Sequence, residues 1–316
     1  MNYRYLFCVL YVAVYFSLQC SAQFFSHAVE DSMALVKASV ACVRTYPGHS
    51  QEMASQIIMG TPVRILSDDG EWYSVETPEG YKGYVIHNAL QRLSAREYND
   101  WRKSDRVFVN GIGTHRIKSI GDKYPVSDLF SGSVLRIISR TDSSYIVETP
   151  DKRKGWIYNT EAINLTDIPD QSVDSLISRG RQLTGVSYLW GGTTPTAIDC
   201  SGFVKILYLS EGLILRRDAS QQAQTGIILD NDYRKYQSGD LIFFQSARTG
   251  NIVHVGMYLG DGLYIHSSGR VKINSLDPDS PLYVKSNILA GGSRIRGMED
   301  TPGITRIISH PWFVDK

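Results

Sequence analysis

The sequence predicts an α+β domain preceded by two small all-β barrels. Short alternating strands repeat themselves within residues 31–165, helical periodicity begins only near residue 172, and apolar strands follow the helices. The chain has 316 residues, more than a usual single domain, so several domains are expected.

The start of the chain has the pattern of a secretory signal over residues 1–22. An apolar run over residues 6–18 is too short to span a bilayer, and small residues lead to a cleavage site after Ala22. A lipoprotein acylated at Cys20 is the alternative. Both interpretations predict export to the periplasm or cell envelope, and no later segment is predicted to be a transmembrane helix.

Charge and cysteine content restrict the possible partners. The formal net charge of +1 gives no reason to expect nucleic acid as a partner. Once Cys8 and Cys20 leave with the signal, only Cys42 and Cys200 remain, and a disulfide between them is possible after export. The sequence around Cys200 favours a free thiol instead, and we expect a monomer.

An internal repeat defines the two barrels. Residues 75–78 (Val-Glu-Thr-Pro) recur as residues 147–150, and the strand at 83–85 (Gly-Tyr-Val) recurs as 155–157 (Gly-Trp-Ile). Alternating apolar and polar residues between Gly, Pro and Asp turns are typical of small antiparallel barrels. Two copies of the pattern therefore predict two barrels of one kind.

The repeat sets the predicted domain boundaries. The first barrel is expected over residues 31–93 and the second over residues 104–165, with a charged connector from Ser94 to Lys103 between them. Pro and Asp in residues 167–171 mark a linker. The third domain is then expected over residues 170–316.

The third domain begins with helical patterns. One helix is predicted from Ser172 to near Gly185, and a second begins at Cys200 with Asp199 as its cap and Gly212 as its stop. Strands are expected in four later segments: 241–244, 253–259, 262–266 and 305–309.

Cys200 is the candidate nucleophile. A cysteine in the first turn of a helix lies at the positive end of the helix dipole, beside backbone N–H groups that have no partner within the helix. Both favour the thiolate, so we expect an ionised sulfur near neutral pH. A buried structural cysteine is the alternative for this position.

Two histidines provide the base and its support. His254 begins one predicted strand and His266 lies in the next. A three-residue turn at 260–262, or an equivalent bulge, places His266 opposite Gly256 and diagonal to His254 on the same face. A tight two-residue turn at 261–262 would put them on opposite faces and break this arrangement.

This arrangement predicts nucleophilic catalysis. Cys200 would attack an amide carbonyl, His254 would act as general base and then acid, and His266 would orient His254. The Cys200 N–H and the Tyr188 hydroxyl would stabilise the oxyanion. No metal or other cofactor is required, and no zinc-type Cys/His spacing is present.

Several motifs together resemble the NlpC-type cell-wall cysteine peptidases. They are Tyr-Leu-Trp-Gly-Gly at 188–192, Asp-Cys-Ser-Gly-Phe at 199–203, Gly-Asp-Leu-Ile-Phe-Phe at 239–244, His-Val-Gly-Met-Tyr-Leu-Gly at 254–260 and Tyr-Ile-His at 264–266. The resemblance implies a papain-like fold that cleaves peptidoglycan stem peptides, and the repeats resemble bacterial SH3-like domains.

The whole chain resembles the γ-D-glutamyl-L-diamino acid endopeptidases that accept stem peptides with a free N-terminal L-Ala. In that family the first SH3-like domain closes one end of the cleft, and acidic and tyrosine side chains hold the substrate amine. The resemblance implies six substrate-binding residues here: Glu52, Tyr81, Trp190, Asp199, Ser201 and Ser220. A carboxylate facing an ammonium group makes a bond that a blocked N-terminus cannot make.

Two other functions remain possible at this stage. The third domain could be catalytically inactive, with the SH3-like repeats binding the cell wall. The protein could also be an amidase or acyltransferase of the same superfamily. The order Cys200, His254, His266 favours the peptidase, whose expected partners are peptidoglycan stem peptides or muropeptides.

Overall fold

A computed structural model describes residues 32–170 and 172–315. The predicted signal peptide, Cys8 and Cys20 lie outside the described residues. Within the two described ranges, no helix combines the length and the apolar character needed to cross a membrane.

The first seven strands form one antiparallel sheet in the order β3-β2-β6-β5-β4-β1-β7. Inward-facing residues alternate with exposed ones, as expected for a small closed barrel, and Val43, Val75 and Val85 are fully buried in its core. The strands are β1 (Met33–Val36), β2 (Val40–Arg44), β3 (Met53–Ile58), β4 (Pro62–Asp69), β5 (Trp72–Glu76), β6 (Lys82–Ile86) and β7 (Leu90–Arg92).

The next seven strands form a second sheet in the order β10-β9-β13-β12-β11-β8-β14. Subtracting seven from each strand number gives the strand order of the first sheet. The sequence repeat is therefore also a repeat of topology. The strands are β8 (Arg106–Val109), β9 (Thr114–Lys118), β10 (Pro125–Phe130), β11 (Val134–Arg140), β12 (Ser144–Glu148), β13 (Lys154–Tyr158) and β14 (Ala162–Asn164).

The charged connector between the sheets is helix α1 (Ala95–Lys103). Ser94 accepts a hydrogen bond from the Glu97 backbone while the Glu97 side chain bonds back to the Ser94 backbone, which is a capping box. Tyr98 and Trp101 form its buried face. They belong to a cluster that also includes Leu35, Phe108, Ile214 and Phe313, so one apolar core joins both sheets and the third domain.

The third domain places helices against an antiparallel sheet in the order β18-β23-β19-β20-β21-β22. The helices are α2 (Val173–Gln182), α3 (Cys200–Leu209) and α4 (Ala219–Gln222). The strands are β15 (Thr193–Thr194), β16 (Ala197–Ile198), β17 (Leu213–Leu215), β18 (Ile227–Leu229), β19 (Leu241–Gln245), β20 (Ile252–Gly260), β21 (Leu263–Ser268), β22 (Arg270–Ser275), β23 (Ile288–Arg294) and β24 (Ile304–Arg306).

The predicted α+β class is correct, because α3 packs its apolar face on the sheet through Phe203, Val204 and Leu207, which share a core with Val255 and Met257. The predicted strands 241–244, 253–259 and 262–266 differ from the observed ones by one or two residues at their ends, and two other boundaries differ more. The first helix ends at Gln182 rather than near Gly185. The strand expected over 305–309 is short, because Ile307–Ser309 turns into a 3₁₀ helix.

The two sheets meet at Gly60. Its φ is +83°, and a Cβ there would lie 1.8 Å from the backbone oxygen of Val134 in the second sheet. The Val134 N–H donates to the carbonyl of Met59 at 3.2 Å, and the Met59 side chain is buried in the second core. This contact fixes the first barrel on the second.

We therefore expect Gly60→Ala to destabilise the protein by about 3 kcal/mol or more, since it adds a backbone clash to the cost of a left-handed conformation. Gly70→Ala is the control: its φ is +79°, but a Cβ there meets nothing within 4 Å, so about 1 kcal/mol is expected. Urea unfolding of both variants measures the difference. Equal losses of unfolding free energy would contradict the packing explanation.

Candidate active site

Cys200 is the first residue of helix α3. The helix begins there because the Asp199 side chain accepts the Gly202 N–H at 2.6 Å, which satisfies one of the free donors of the first turn. Nearly the whole helix is buried, and Cys200 itself is only 8% exposed. The predicted start and cap of this helix are confirmed.

The two histidines lie on the hairpin formed by β20 and β21. Met257 pairs with Ile265 and Tyr258 with Tyr264, the register that places Gly256 opposite His266. The connecting turn has two residues, Asp261 and Gly262, both with positive φ, but a bulge beside Gly260 shifts the register by one residue. The expected equivalent bulge is therefore present, and both histidines share a face.

Gly256 leaves room for the second imidazole. A Cβ at this position would lie 3.1 Å from the Cβ of His266. His266 is 1% exposed, so its side chain is enclosed by the surrounding protein.

The side chains form a hydrogen-bonded chain from His254 through His266 to Asn274. Nε2 of His254 lies 2.6 Å from Nδ1 of His266, and Nε2 of His266 lies 2.8 Å from Oδ1 of Asn274. The Asn274 amide nitrogen donates to the carbonyl of Leu282 at 2.8 Å, which assigns its oxygen as the acceptor toward His266.

This assignment fixes the tautomers. His266 donates from Nε2 to Asn274, so its Nδ1 accepts a hydrogen bond from Nε2 of His254. His254 then keeps its lone pair on Nδ1, which is the atom available to act as a base. Asn274 is a residue that the sequence did not reveal, because its place beside His266 depends on the register of a third strand, β22.

Burial decides the protonation of the candidate catalytic groups. It lowers the pKa of His254 to about 3, with the neighbouring His266 and Lys272 adding to the effect. It likewise lowers the pKa of His266 to about 4, although the hydrogen bond that His266 donates to Asn274 favours the charged form. Both imidazoles are neutral near pH 7.

The expectation of a thiolate at Cys200 is wrong for the resting protein. Burial and the Asp199 carboxylate raise the pKa of Cys200 to about 11. The Val255 and Ser201 backbone N–H groups and the Arg217 charge favour the thiolate but do not compensate. Because the Val255 backbone N–H interacts with the sulfur of Cys200, the sulfur lies beside strand β20, which also carries His254.

Tyr188 is able to donate a hydrogen bond at neutral pH. Burial, together with the neighbouring Cys200 and Asp199, raises the pKa of Tyr188 to about 12. It lines the same cleft as Cys200. A protonated hydroxyl beside the sulfur is the group that a developing oxyanion requires.

The cleft has a volume of about 540 Å³ and lies between the first barrel and the third domain. Every predicted binding residue lines it, namely Glu52, Tyr81, Trp190, Asp199, Ser201 and Ser220. The first barrel also makes a direct polar contact across the cleft: Nε1 of Trp190 donates to Oε1 of Glu52 at 2.7 Å.

Arg217 is the second residue that the sequence did not reveal. It is almost fully buried, its Nη2 lies 2.5 Å from Oδ2 of Asp199, and its Nε donates to the Ser55 hydroxyl of the first barrel at 2.9 Å. Asp199 also accepts the Gly191 N–H at 3.0 Å. Its carboxylate is thus occupied by protein donors, and Arg217 neutralises its charge.

A cysteine at a helix start, packed against a sheet with a His–His–Asn chain, defines a papain-like cysteine peptidase. The NlpC/P60 family model matches residues 185–289, and the Bacterial SH3 domain model matches residues 39–91. The chain belongs to the NlpC/P60 family, with a bacterial SH3 domain in front of the peptidase domain.

Several known proteins match most of this chain. The γ-D-glutamyl-L-lysine dipeptidyl-peptidase of Bacillus cereus is 29% identical over 75% of this chain and 74% of its own length. Dipeptidyl-peptidase 6 of Lysinibacillus sphaericus is 28% identical over 79% and 94%. The crystal structure of an NlpC/P60 family protein from Bacillus cereus superposes with a TM-score of 0.72 at 25% identity, covering 83% of this chain and 99% of that one.

The raised pKa of Cys200 predicts its reactivity. Only the thiolate reacts with iodoacetamide, so alkylation of Cys200 should accelerate about tenfold per pH unit from about pH 6 to about pH 9. Mass spectrometry of the Cys200 peptide measures the rate, in a Cys42→Ser background that removes the other described thiol. A rate that is constant over this range would instead indicate a preformed thiolate.

The tautomer chain predicts a role for Asn274. Replacing it with Ala removes the acceptor that orients His266, and the resulting misplacement of His254 should lower kcat by up to about 100-fold. Asn287→Ala is the matched control, because Asn287 bonds the Tyr264 hydroxyl and neither histidine. If both variants kept wild-type kcat on a peptidoglycan peptide, the orienting role would be disproved.

Proposed function

We propose that the protein is an exported cysteine endopeptidase that hydrolyses the γ-D-Glu–diamino acid bond of peptidoglycan stem peptides with a free N-terminal L-Ala. The observation that supports it most is the cleft at Cys200, which the first barrel borders with Glu52 and Tyr81. Two relatives are dipeptidyl-peptidases by name, one of them a γ-D-glutamyl-L-lysine dipeptidyl-peptidase.

The proposed reaction starts from a neutral pair. As Sγ of Cys200 attacks the γ-carbonyl carbon, its proton passes to Nδ1 of His254, so the thiolate forms only while the new C–S bond forms. The Cys200 N–H and the Tyr188 hydroxyl hold the oxyanion. His254 then gives the proton to the leaving amine, which departs and leaves a thioester.

Water completes the cycle. His254 removes a proton from water, the oxygen attacks the thioester carbonyl, and the sulfur leaves and recovers the proton. His266 supports the transient imidazolium of His254 through their hydrogen bond, with no carboxylate behind it. The positive charge on His254 is therefore short-lived, which agrees with the lowered pKa of both rings.

Two carboxylates are suited to the substrate amine. Glu52 is exposed in the cleft and uses Oε1 for Trp190, so Oε2 remains for a ligand. Asp218 lines the cleft too, and burial raises its pKa against the nearby Arg217 charge. A substrate ammonium would make charge-assisted hydrogen bonds with these carboxylates.

The other predicted substrate-binding residues differ in whether protein groups already occupy their hydrogen-bonding atoms. Ser220 is exposed in the cleft and able to bond a ligand. Ser201 accepts from Nη1 of Arg217 at 2.8 Å and bonds Asp199, so it acts within the Arg217 network. We propose that Asp199 and Ser201 shape the cleft and that Glu52, Tyr81 and Ser220 bind the substrate.

Export and domain extent are parts of the same proposal. A peptidase of the cell wall acts outside the cytoplasm, in line with the signal pattern of residues 1–22, and acylation at Cys20 would hold it on a membrane. We propose domain boundaries of 31–93, 104–165 and 170–316. The protein would act as a monomer on stem peptides or muropeptides.

Amine recognition predicts the effect of Glu52→Gln. The amide keeps an oxygen for Trp190 but removes the charge, so KM for L-Ala-γ-D-Glu-L-Lys should rise about 10- to 100-fold. The peptide acetylated on its L-Ala amine, which has no N-terminal ammonium, should be cleaved poorly by both proteins. Steady-state kinetics with Cys200→Ala as the inactive control measures both substrates.

Glu71→Gln is the matched control, because Glu71 is an exposed acid of the same barrel that does not line the cleft. Wild-type protein that cleaved the free and acetylated peptides equally would exclude amine recognition. Equal activity of wild type and Cys200→Ala would exclude the peptidase.

A further inference from the structure

Helix α3 contains one charged residue, Lys205, among apolar and small ones. Its side chain is 9% exposed and forms an ion pair with Oε1 of Glu79, whose side chain is 5% exposed. Glu79 belongs to the first barrel. A buried charge is unfavourable without a partner, so each of these residues requires the other.

Glu79 lies in the loop between β5 and β6, and the third domain holds this loop at two further points. Nη1 of Arg216 donates to the carbonyl of Glu79 at 2.9 Å. Nε2 of His310 lies 3.0 Å from the carbonyl oxygen of Pro78. Three side chains of the third domain therefore bond to two consecutive residues of the loop.

The same loop presents Tyr81 to the cleft. Tyr81 follows Glu79 by two residues, and Lys205 lies on the helix that begins with Cys200. The ion pair thus joins the loop that supplies a substrate contact to the helix that supplies the nucleophile.

The second barrel provides an internal comparison. Its equivalent loop, residues 149–153, has the same backbone bonds: Thr149 N to Arg153 O at 2.9 Å, against Thr77 N to Tyr81 O at 2.8 Å. Asp151 stands where the first barrel has Glu79. Among the described residues, its side chain bonds only within its own loop, to Thr149 at 2.6 Å and Arg153 at 2.8 Å.

The loop conformation is therefore a property of the barrel, while its outward contacts differ between the copies. The first copy has a longer acid that reaches Lys205, and a tyrosine where the second has arginine. Burial opposes ionisation of Glu79, but the Lys205 charge and hydrogen bond lower its pKa overall, so the pair is ionised at neutral pH.

We propose that Glu79 and Lys205 are positioning residues that set the place of Tyr81 relative to Cys200 and so make cleavage depend on a free substrate amine. This inference rests on the proposed function. Neither residue touches the reacting atoms. They act through the loop, and their loss affects binding of the amine before it affects the chemical step.

The test compares L-Ala-γ-D-Glu-L-Lys with its N-acetylated copy in steady-state kinetics of the full chain. Four variants are needed: Glu79→Gln, Glu79→Asp, the double variant Glu79→Gln/Lys205→Met, and Asp151→Asn as the matched control in the second barrel. Thermal unfolding of each variant reports its stability separately.

For Glu79→Gln we expect KM of the free peptide to rise about tenfold while kcat changes less than about threefold. Cleavage of the acetylated peptide should not change, so the preference for the free amine falls. Glu79→Asp, which keeps the charge, should retain more of the preference, and Asp151→Asn all of it. The double variant should regain stability without regaining the preference, because no buried cation is left unpaired.

An unchanged preference in Glu79→Gln would overturn the inference. So would a double variant that regained preference together with stability, since the pair would then serve stability alone. If Glu79→Gln does not fold, the preference of the double variant for the free peptide over the acetylated peptide is the test instead. Wild-type protein without Cys200-dependent cleavage of the free peptide would instead refute the proposed function itself.

Discussion

The ion pair between Asp199 and Arg217 is the interaction on which the site depends. Asp199 caps the helix of Cys200 through Gly202 and also accepts from Gly191 in the loop before it. Arg217 neutralises that carboxylate and reaches Ser55 in the first barrel. One buried ion pair therefore holds the start of the Cys200 helix, the loop that carries Trp190 and strand β3 of the first barrel in place. Removing either partner would leave an unpaired buried charge.

Burial also determines the chemistry. The enclosure that holds Cys200, His254 and His266 in place disfavours every charged form, so the sulfur and both rings rest as neutral groups. In the proposed reaction, charge separation is then confined to the moment of attack. Hydrogen bonds from backbone N–H groups and the His266–Asn274 chain would supply the stabilisation that a carboxylate supplies in many triads.

The two barrels show how a repeated fold acquires different uses. They share a strand order and the backbone bonds of the β5–β6 and β12–β13 loops. The first copy faces the cleft with Glu52 and Tyr81 and is held by Lys205. The second copy packs against the first where Val134 contacts Met59 and Gly60 of the first barrel. The strand order is constant, and the side chains at the loops decide which copy borders the cleft.

The sequence by itself determined the local features: the repeat, the Asp199 cap, the helix start at Cys200 and the shared face of the histidines. These depend on near neighbours and on a hairpin whose Gly and Asp residues favour a bulged turn. Tertiary structure alone decided the place of Asn274, the Arg217 network, the Glu79–Lys205 pair and the protonation of Cys200. Each depends on burial between segments distant in the chain. The dipole of the helix start suggested a thiolate, but the desolvation that opposes it exists only once the domains have packed together.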